Sequence, residues 1–206
     1  LRRLGVALEL TLGRPGFYPR GGGLLRARLS PARRLRPLTL CERGALRRVT
    51  GVSAVAGLDR AIAARQHGAA RDRLGARGID CAIEEQVWHA DSPGSVLALY
   101  GVFEAAEACF FALGVRGKPA ERVGRQAADQ LLDFLDGAAA VQAHLADQLL
   151  LPLALARGPS VLRTERVTSH LLTNAAVVRR FLPVGIDIPA PETVPAEVRI
   201  EPRSPG

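Results

Sequence analysis

Hydrophobic and polar residues alternate from the start of the chain: Val6, Leu8, Leu10 and Leu12 fall on one side of residues 4–12, and Ala7, Glu9 and Thr11 on the other. A period of two predicts a half-buried strand. It begins at once, with no Met, helix or cap before it, as expected of a fragment that starts in mid-structure. The run Gly13-Arg14-Pro15-Gly16-Phe17-Tyr18-Pro19-Arg20-Gly21-Gly22-Gly23 interrupts the alternation, which resumes over Leu24–Ser30. Two strands joined by a wide hairpin loop are predicted. Residues 31–37 form a basic, Pro-bounded connector, where a domain crossing is placed. Residues 38–41 and 46–55 then read as paired strands around Glu42-Arg43-Gly44.

Further on the period changes. Residues 58–74 follow Gly57 as a helix with Leu58, Ile62 and Ala69 on its apolar side. Residues 79–88, 95–103 and 109–113 read as strands, and residues 118–135 as an amphipathic helix with Val123, Ala127, Leu131 and Leu135 at four-residue spacing. Residues 138–156 read as a second, more apolar helix carrying Val141, Leu145, Leu149 and Leu153, with Pro152 limiting its regular part. Ser160–Thr164 is a short strand. Thr168 or Ser169 can cap a helix running to Leu182, residues 183–188 and 198–201 are the last strands, and the Pro202-Arg203-Ser204-Pro205-Gly206 tail reads as loop and disordered end.

Composition narrows the class. With 48% hydrophobic residues among 206, the chain can bury a real core as one large or two small domains. No window approaches the roughly 18 consecutive apolar residues of a membrane span, and no secretory signal is evident, so a soluble cytoplasmic protein is expected. Cys41, Cys81 and Cys109 lack a CxxC pair and read as reduced, mostly buried thiols; His67, His89, His144 and His170 lack metal-ligand spacing. Residues 1–50 hold 12 Arg against Glu9 and Glu42, a local charge of +10 in a chain of net +8. Such a surface suits a polyanion such as nucleic acid; a coding bias toward Arg, with the charges merely solvated, is the bland alternative.

Three places could carry chemistry. The glycines Gly21, Gly22 and Gly23 let backbone N–H groups approach a phosphate, with Arg14 and Arg20 adding charge, although most glycine-rich turns are structural. Asp147 and Gln148 sit within an apolar helix, where an unpaired carboxylate is costly unless it lies on a solvated edge. His170 falls in the first turn of a helix, where outward-facing N–H groups favour an activated phosphate and keep an imidazole neutral and nucleophilic. By position alone, a first-turn histidine is more often a polar surface residue.

Together these residues resemble the RNA 3′-terminal phosphate cyclase family. Four blocks match in order: Gly16-Phe17-Tyr18-Pro19-Arg20-Gly21-Gly22-Gly23; Ala120-Glu121-Arg122-Val123-Gly124; His144-Leu145-Ala146-Asp147-Gln148-Leu149 with Pro152-Leu153-Ala154-Leu155-Ala156; and Ser169-His170-Leu171-Leu172-Thr173-Asn174. The resemblance covers nearly all of the chain. It implies an α+β fold, an α/β sandwich: the C-terminal part of a large domain of repeated βαβαββ units, like the C-terminal domain of translation initiation factor 3, with a smaller α/β domain inserted. Residues 1–37 and 138–206 would belong to the large domain and residues 38–137 to the insert.

The resemblance further implies ATP-dependent conversion of an RNA 3′-phosphate to a 2′,3′-cyclic phosphate, with His170 as the nucleophile that takes up AMP. Asp147, Gln148, His144 and Asn174 would contact the nucleotide, and Arg20, Arg14 and Gly21–Gly23 the phosphate or RNA. Mg2+ or another divalent metal would arrive with ATP, with no dedicated protein metal site. The partners implied are ATP and RNA with a 3′-phosphate end, no membrane, and a homodimer is compatible with it. The family's long N-terminal part, with its own ATP and RNA contacts, is not in this chain, and Gln142-Ala143 stands where relatives often carry acid. Two other readings are a non-catalytic cyclase-like protein of ribosome biogenesis, which lacks the nucleophile, and an inactive truncated product; His170 in its Ser-His-Leu-Leu-Thr-Asn setting argues for the enzyme.

Overall fold

The computed structural model describes residues 1–30 and 32–203. After a 3-10 turn at Arg2–Leu4, the elements in chain order are β1 (Ala7–Arg14), β2 (Leu24–Ser30), β3 (Thr39–Leu40), β4 (Leu46–Ala56), α1 (Ala61–Gly75), β5 (Cys81–Trp88), β6 (Gly94–Phe103), β7 (Glu107–Leu113), α2 (Ala120–Asp136), α3 (Ala143–Ala154), β8 (Ser160–Thr164), α4 (Ser169–Phe181), β9 (Val184–Asp187) and β10 (Ala196–Pro202). Mixed sheets and four helices make this an α+β protein. By contacts it divides into two units: residues 1–9, 28–44 and 137–206 form the first, residues 10–27 and 45–136 the second. By these contacts the chain leaves the first unit after Gly44 and returns to it at Gly137.

In the first unit the sheet order is β3-β8-β10-β9, with β3 parallel to β8 and the other neighbours antiparallel. The helices α3 and α4 pack on each other and on this sheet. Leu150, Leu153, Leu162, Leu171, Val198 and Ile200 form the buried core. The expected pairing of residues 38–41 with 46–55 does not occur. Leu38 and Leu40 are buried beside β8, and Arg43 holds the segment by donating to the carbonyls of Ala139 (2.5 Å) and Gly137 (2.7 Å). Burial of two leucines and two charge-assisted bonds outweigh a local turn. The C-terminal tail is expected to be loop, but Pro202 belongs to β10; Ser204, Pro205 and Gly206, like Pro31 of the connector, lie outside the described residues.

The second unit carries the sheet β5-β4-β6-β7, with β4 and β5 parallel and the other pairs antiparallel. Both α1 and α2 cover one face of it, completing the βαββ pattern read in the sequence with a further helix. The buried face of α1 is Ala63, Gln66, Ala70 and Leu74, not Leu58, Ile62 and Ala69. The helix also starts three residues later than expected, because the Asp59 carboxylate accepts the Ala61 N–H at 2.8 Å. Small residues win on α1 because the helices approach closely: a Cβ on Gly124 of α2 would collide with the Gln66 carbonyl of α1. Gln66 itself is buried at no cost in unmet polar groups, since Ser53 donates to it at 3.1 Å and it donates to Ser95 at 2.8 Å.

The ribbon β1–β2 departs furthest from expectation. Alternation predicted half-buried strands, yet Leu10 is 58% and Leu12 55% exposed, and Leu24, Leu25 and Leu29 are exposed as well. The pattern dictates which side the leucines share; half-burial needs a second layer, and two strands alone do not provide one. The cysteines are free and half-buried rather than buried, and burial raises the pKa of each thiol. Among the described residues no helix is long and apolar enough to cross a membrane.

Candidate active site

Two helix starts define the site. Residues 138–142, expected to be helical, lie outside any helix: Val141 bridges to Thr164 of β8, and Gln142, at φ −64° and ψ 145°, is the N-cap of α3. The Ala143 N–H donates to the Glu165 carboxylate at 2.8 Å, so an acid 22 residues downstream in sequence caps this helix. Thr168 caps α4, its hydroxyl accepting the Leu171 N–H at 3.1 Å. His144 is therefore the second residue of α3, and His170 the second residue of α4. Both rings stand exposed at helix N-termini, where the remaining free N–H groups favour an anion.

Helical periodicity places the rest. Asp147 and Gln148 follow His144 by three and four residues, and Asn174 follows His170 by four, so each set shares a face of its helix. Asp147, Gln148 and Asn174 come together along an open groove of about 590 Å³ whose walls are Leu151, Leu155, Val177 and Phe181. The late start of α3 puts Asp147 near the helix beginning, half-buried, with Gln148 exposed; the carboxylate lies on a helix edge and carries no penalty for full burial. Pro152 lies within α3 and has no N–H to offer the Gln148 carbonyl, which removes one backbone bond beside the groove. Among the described residues the side chains of His144, Asp147, Gln148, His170 and Asn174 make no hydrogen bond or ion pair. Five polar groups on adjoining helices are thus left for something other than the fold.

The glycine-rich loop belongs to the second unit, and internal contacts explain its composition. Arg14 donates to the Gly22 carbonyl at 2.6 Å and lies 3.7 Å from the Asp91 carboxylate. Gly21 and Gly22 have φ of 66° and 70°, a region that favours glycine, and a Cβ on Gly22 would collide with Asp91. The Arg20 N–H donates to the Ser92 hydroxyl at 3.1 Å, while its side chain is exposed. Gly23 closes the loop against Gly16. An acid pressed against Gly22 and paired with Arg14 offsets the charge that a phosphate would seek. The Ala120–Gly124 block is likewise accounted for by helix contact at Gly124. Sequence reasoning missed Glu165 and Arg43, whose partners are remote in sequence and have no local signature.

The α+β chain thus carries exposed histidines at two capped helix starts and, on the same two helices, an apolar groove edged by Asp147, Gln148 and Asn174. The comparisons are more specific. The family model described as RNA 3′-terminal phosphate cyclase matches residues 1–188. Proteins named RNA 3′-terminal phosphate cyclase are similar to it: that of Methanopyrus kandleri is 41% identical over 98% of this chain and 59% of its own length. That of Methylococcus capsulatus is 43% identical over 97% and 56%, and that of Pseudomonas fluorescens 43% over 91% and 54%. The chain belongs to the RNA 3′-terminal phosphate cyclase family, and spans between half and three-fifths of the length of these relatives.

Proposed function

We propose that the whole protein is an ATP-dependent RNA 3′-terminal phosphate cyclase and that this chain supplies its nucleophile, His170. A neutral ring nitrogen of His170 attacks the α-phosphorus of ATP; an N–P bond forms as the P–O bond to pyrophosphate breaks. An oxygen of the RNA 3′-phosphate then takes the AMP from the ring. Finally the neighbouring 2′-hydroxyl, losing its proton, attacks the activated phosphorus and expels AMP, closing the 2′,3′-cyclic phosphate. Transfer of AMP gives the otherwise unreactive RNA 3′-phosphate a good leaving group, which the last step expels. The reading includes the finer architecture, with the first unit as one repeat of a βαβαββ domain and the second as its insert, and a cytoplasmic setting in which three unpaired cysteines stay reduced.

The observation that carries the proposal is the position of His170 at the capped start of α4, one turn from Asn174, which shares a groove with Asp147 and Gln148. The groove's size and apolar walls suit a purine base, with the polar edge oriented to the ribose and phosphates. Asp147 is its one carboxylate, and among the described residues no group of three or more His, Cys, Asp and Glu could hold a metal ion. Mg2+ would be carried on the ATP phosphates, taking at most Asp147 from this chain and neutralising phosphate charge. The test uses the full-length protein with ATP labelled at the α- or the γ-phosphate. The α-label is expected to become covalently bound, the γ-label not, and His170→Ala to abolish binding; retention of α-label by that variant sinks the assignment. The 206-residue chain alone is expected to label weakly or not at all.

A further inference from the structure

The second unit has one sheet face under α1 and α2 and another on which no helix packs. The cross-strand register lays that open face out in rows. Thr50, Tyr100 and Cys109 form one row across β4, β6 and β7; Val52, Ala98 and Phe111 form the next; Arg48, Val102 and Glu107 close the end. The opposite end is capped by Phe17, which stacks on Trp88 with ring centroids 6.5 Å apart and lies against Gly94. Between the ends the face is apolar yet open: Tyr100 is 45%, Phe111 55% and Leu113 49% exposed. Contiguous exposed apolar surface of this kind marks an interaction site more often than solvent.

Charge decides between occupants. The only charged residues in the rows across β4, β6 and β7 are Arg48 and Glu107, and β5 adds Glu84 in the Val52 row. A face with one base and two acids repels a polyanion, which argues against RNA. Arg48 and Glu107 stand two strands apart, about 10 Å, and neither makes an ion pair among the described residues. They are, however, placed symmetrically about β6. A two-fold axis running along β6 in the plane of contact turns β4 of one copy onto β7 of the other without changing the row. Arg48 then meets the second copy's Glu107 twice, Val52 meets Phe111 twice, and Val102, Tyr100 and Ala98 meet their own counterparts. Glu84, on β5, falls outside the overlap. A self-complementary patch of this form is what an isologous dimer requires.

We propose that this open face is a homodimer interface, two copies packing sheet to sheet about an axis along β6. The inference stands apart from the cyclase chemistry. Sedimentation velocity of the full-length protein across a concentration series tests it. A monomer–dimer equilibrium is expected, with Phe111→Asp shifting it to monomer. Arg48→Glu and Glu107→Arg should each weaken the dimer roughly tenfold, and the two together restore it. The charge reversals lie on the exposed surface, so they keep the test open if Phe111→Asp misfolds. A monomer at every concentration overturns the proposal, as does a dimer indifferent to all these changes or a double reversal no better than the singles. Protection of Tyr100 and Phe111 from surface labelling only when RNA is added overturns it in favour of nucleic acid.

Discussion

The helix pairs of the two units treat polar side chains in opposite ways. In the second, polar groups answer one another. Ser53, Gln66 and Ser95 close a buried chain of hydrogen bonds, and Arg65–Glu121 at 2.7 Å, Arg73–Asp129 at 2.6 Å and Arg77–Asp136 at 2.6 Å tie α1 and the turn that follows it to α2. These pairs advance together along both helices, which therefore run side by side in the same direction. In the first unit, His144, Asp147, Gln148, His170 and Asn174 line up on α3 and α4 with no such partners among the described residues. Polar groups that satisfy each other hold a fold; polar groups left over along a groove are available to a ligand. Four family motifs divide in a related way: the Gly16–Gly23 and Ala120–Gly124 blocks have structural explanations throughout, whereas in the other two the leucines Leu149, Leu153 and Leu171 serve the core and the polar residues do not.

Substitutions can break or sharpen this contrast. The largest loss of stability is expected at Gly124→Ala, where the new methyl group must push α1 and α2 apart; we expect destabilisation of about 1–3 kcal/mol by chemical denaturation despite the gain in helix propensity. Thr168→Ala removes the cap of α4 and should cost about 1 kcal/mol, with a further loss in α-phosphate labelling of the full-length protein because His170 sits in the turn it secures. Acid acts next. The Arg65 guanidinium, by hydrogen bonding to Glu121, lowers that carboxyl from 4.5 to about 2. A depressed carboxylate contributes stability above its unfolded value and loses it as pH falls through the folded one. Stability should therefore decline between about pH 4.5 and 2, and Glu121→Gln should flatten part of that decline in acid titrations followed by circular dichroism. Asp147→Asn is expected to have the smallest effect on stability, close to zero, while lowering labelling tenfold or more; a stability loss comparable to that at Gly124 would mean that Asp147 serves the fold, and the contrast would fail.

Much of this was legible in the sequence, for identifiable reasons. Strands β4 to β7 and helix α2 follow their periodicity because one face of each is buried within the same unit. The hairpin ribbon reads correctly as strands and wrongly as half-buried, since burial depends on a layer that period alone does not supply. Periodicity places helix α1 but turns it to the wrong face, because a close crossing at Gly124 rewards Ala63 and Ala70 over larger neighbours, and a satisfied Gln66 can be buried where an unpaired one cannot. The Thr168 cap and the first-turn position of His170 were local and could be read. The late start of α3 could not, since it depends on Glu165 and on Val141 bridging to Thr164. The groove uniting Asp147, Gln148 and Asn174 is a tertiary fact, suggested beforehand only by the family resemblance.

His144 and His170 occupy equivalent second positions of capped helices, both exposed, and each stands one turn before a residue of the groove. Peptide mapping by mass spectrometry of the full-length protein after incubation with ATP and Mg2+ separates them. The account predicts AMP on the peptide containing His170, with none on that containing His144; AMP on His144, or on neither histidine in a protein that still cyclises RNA ends, would contradict it.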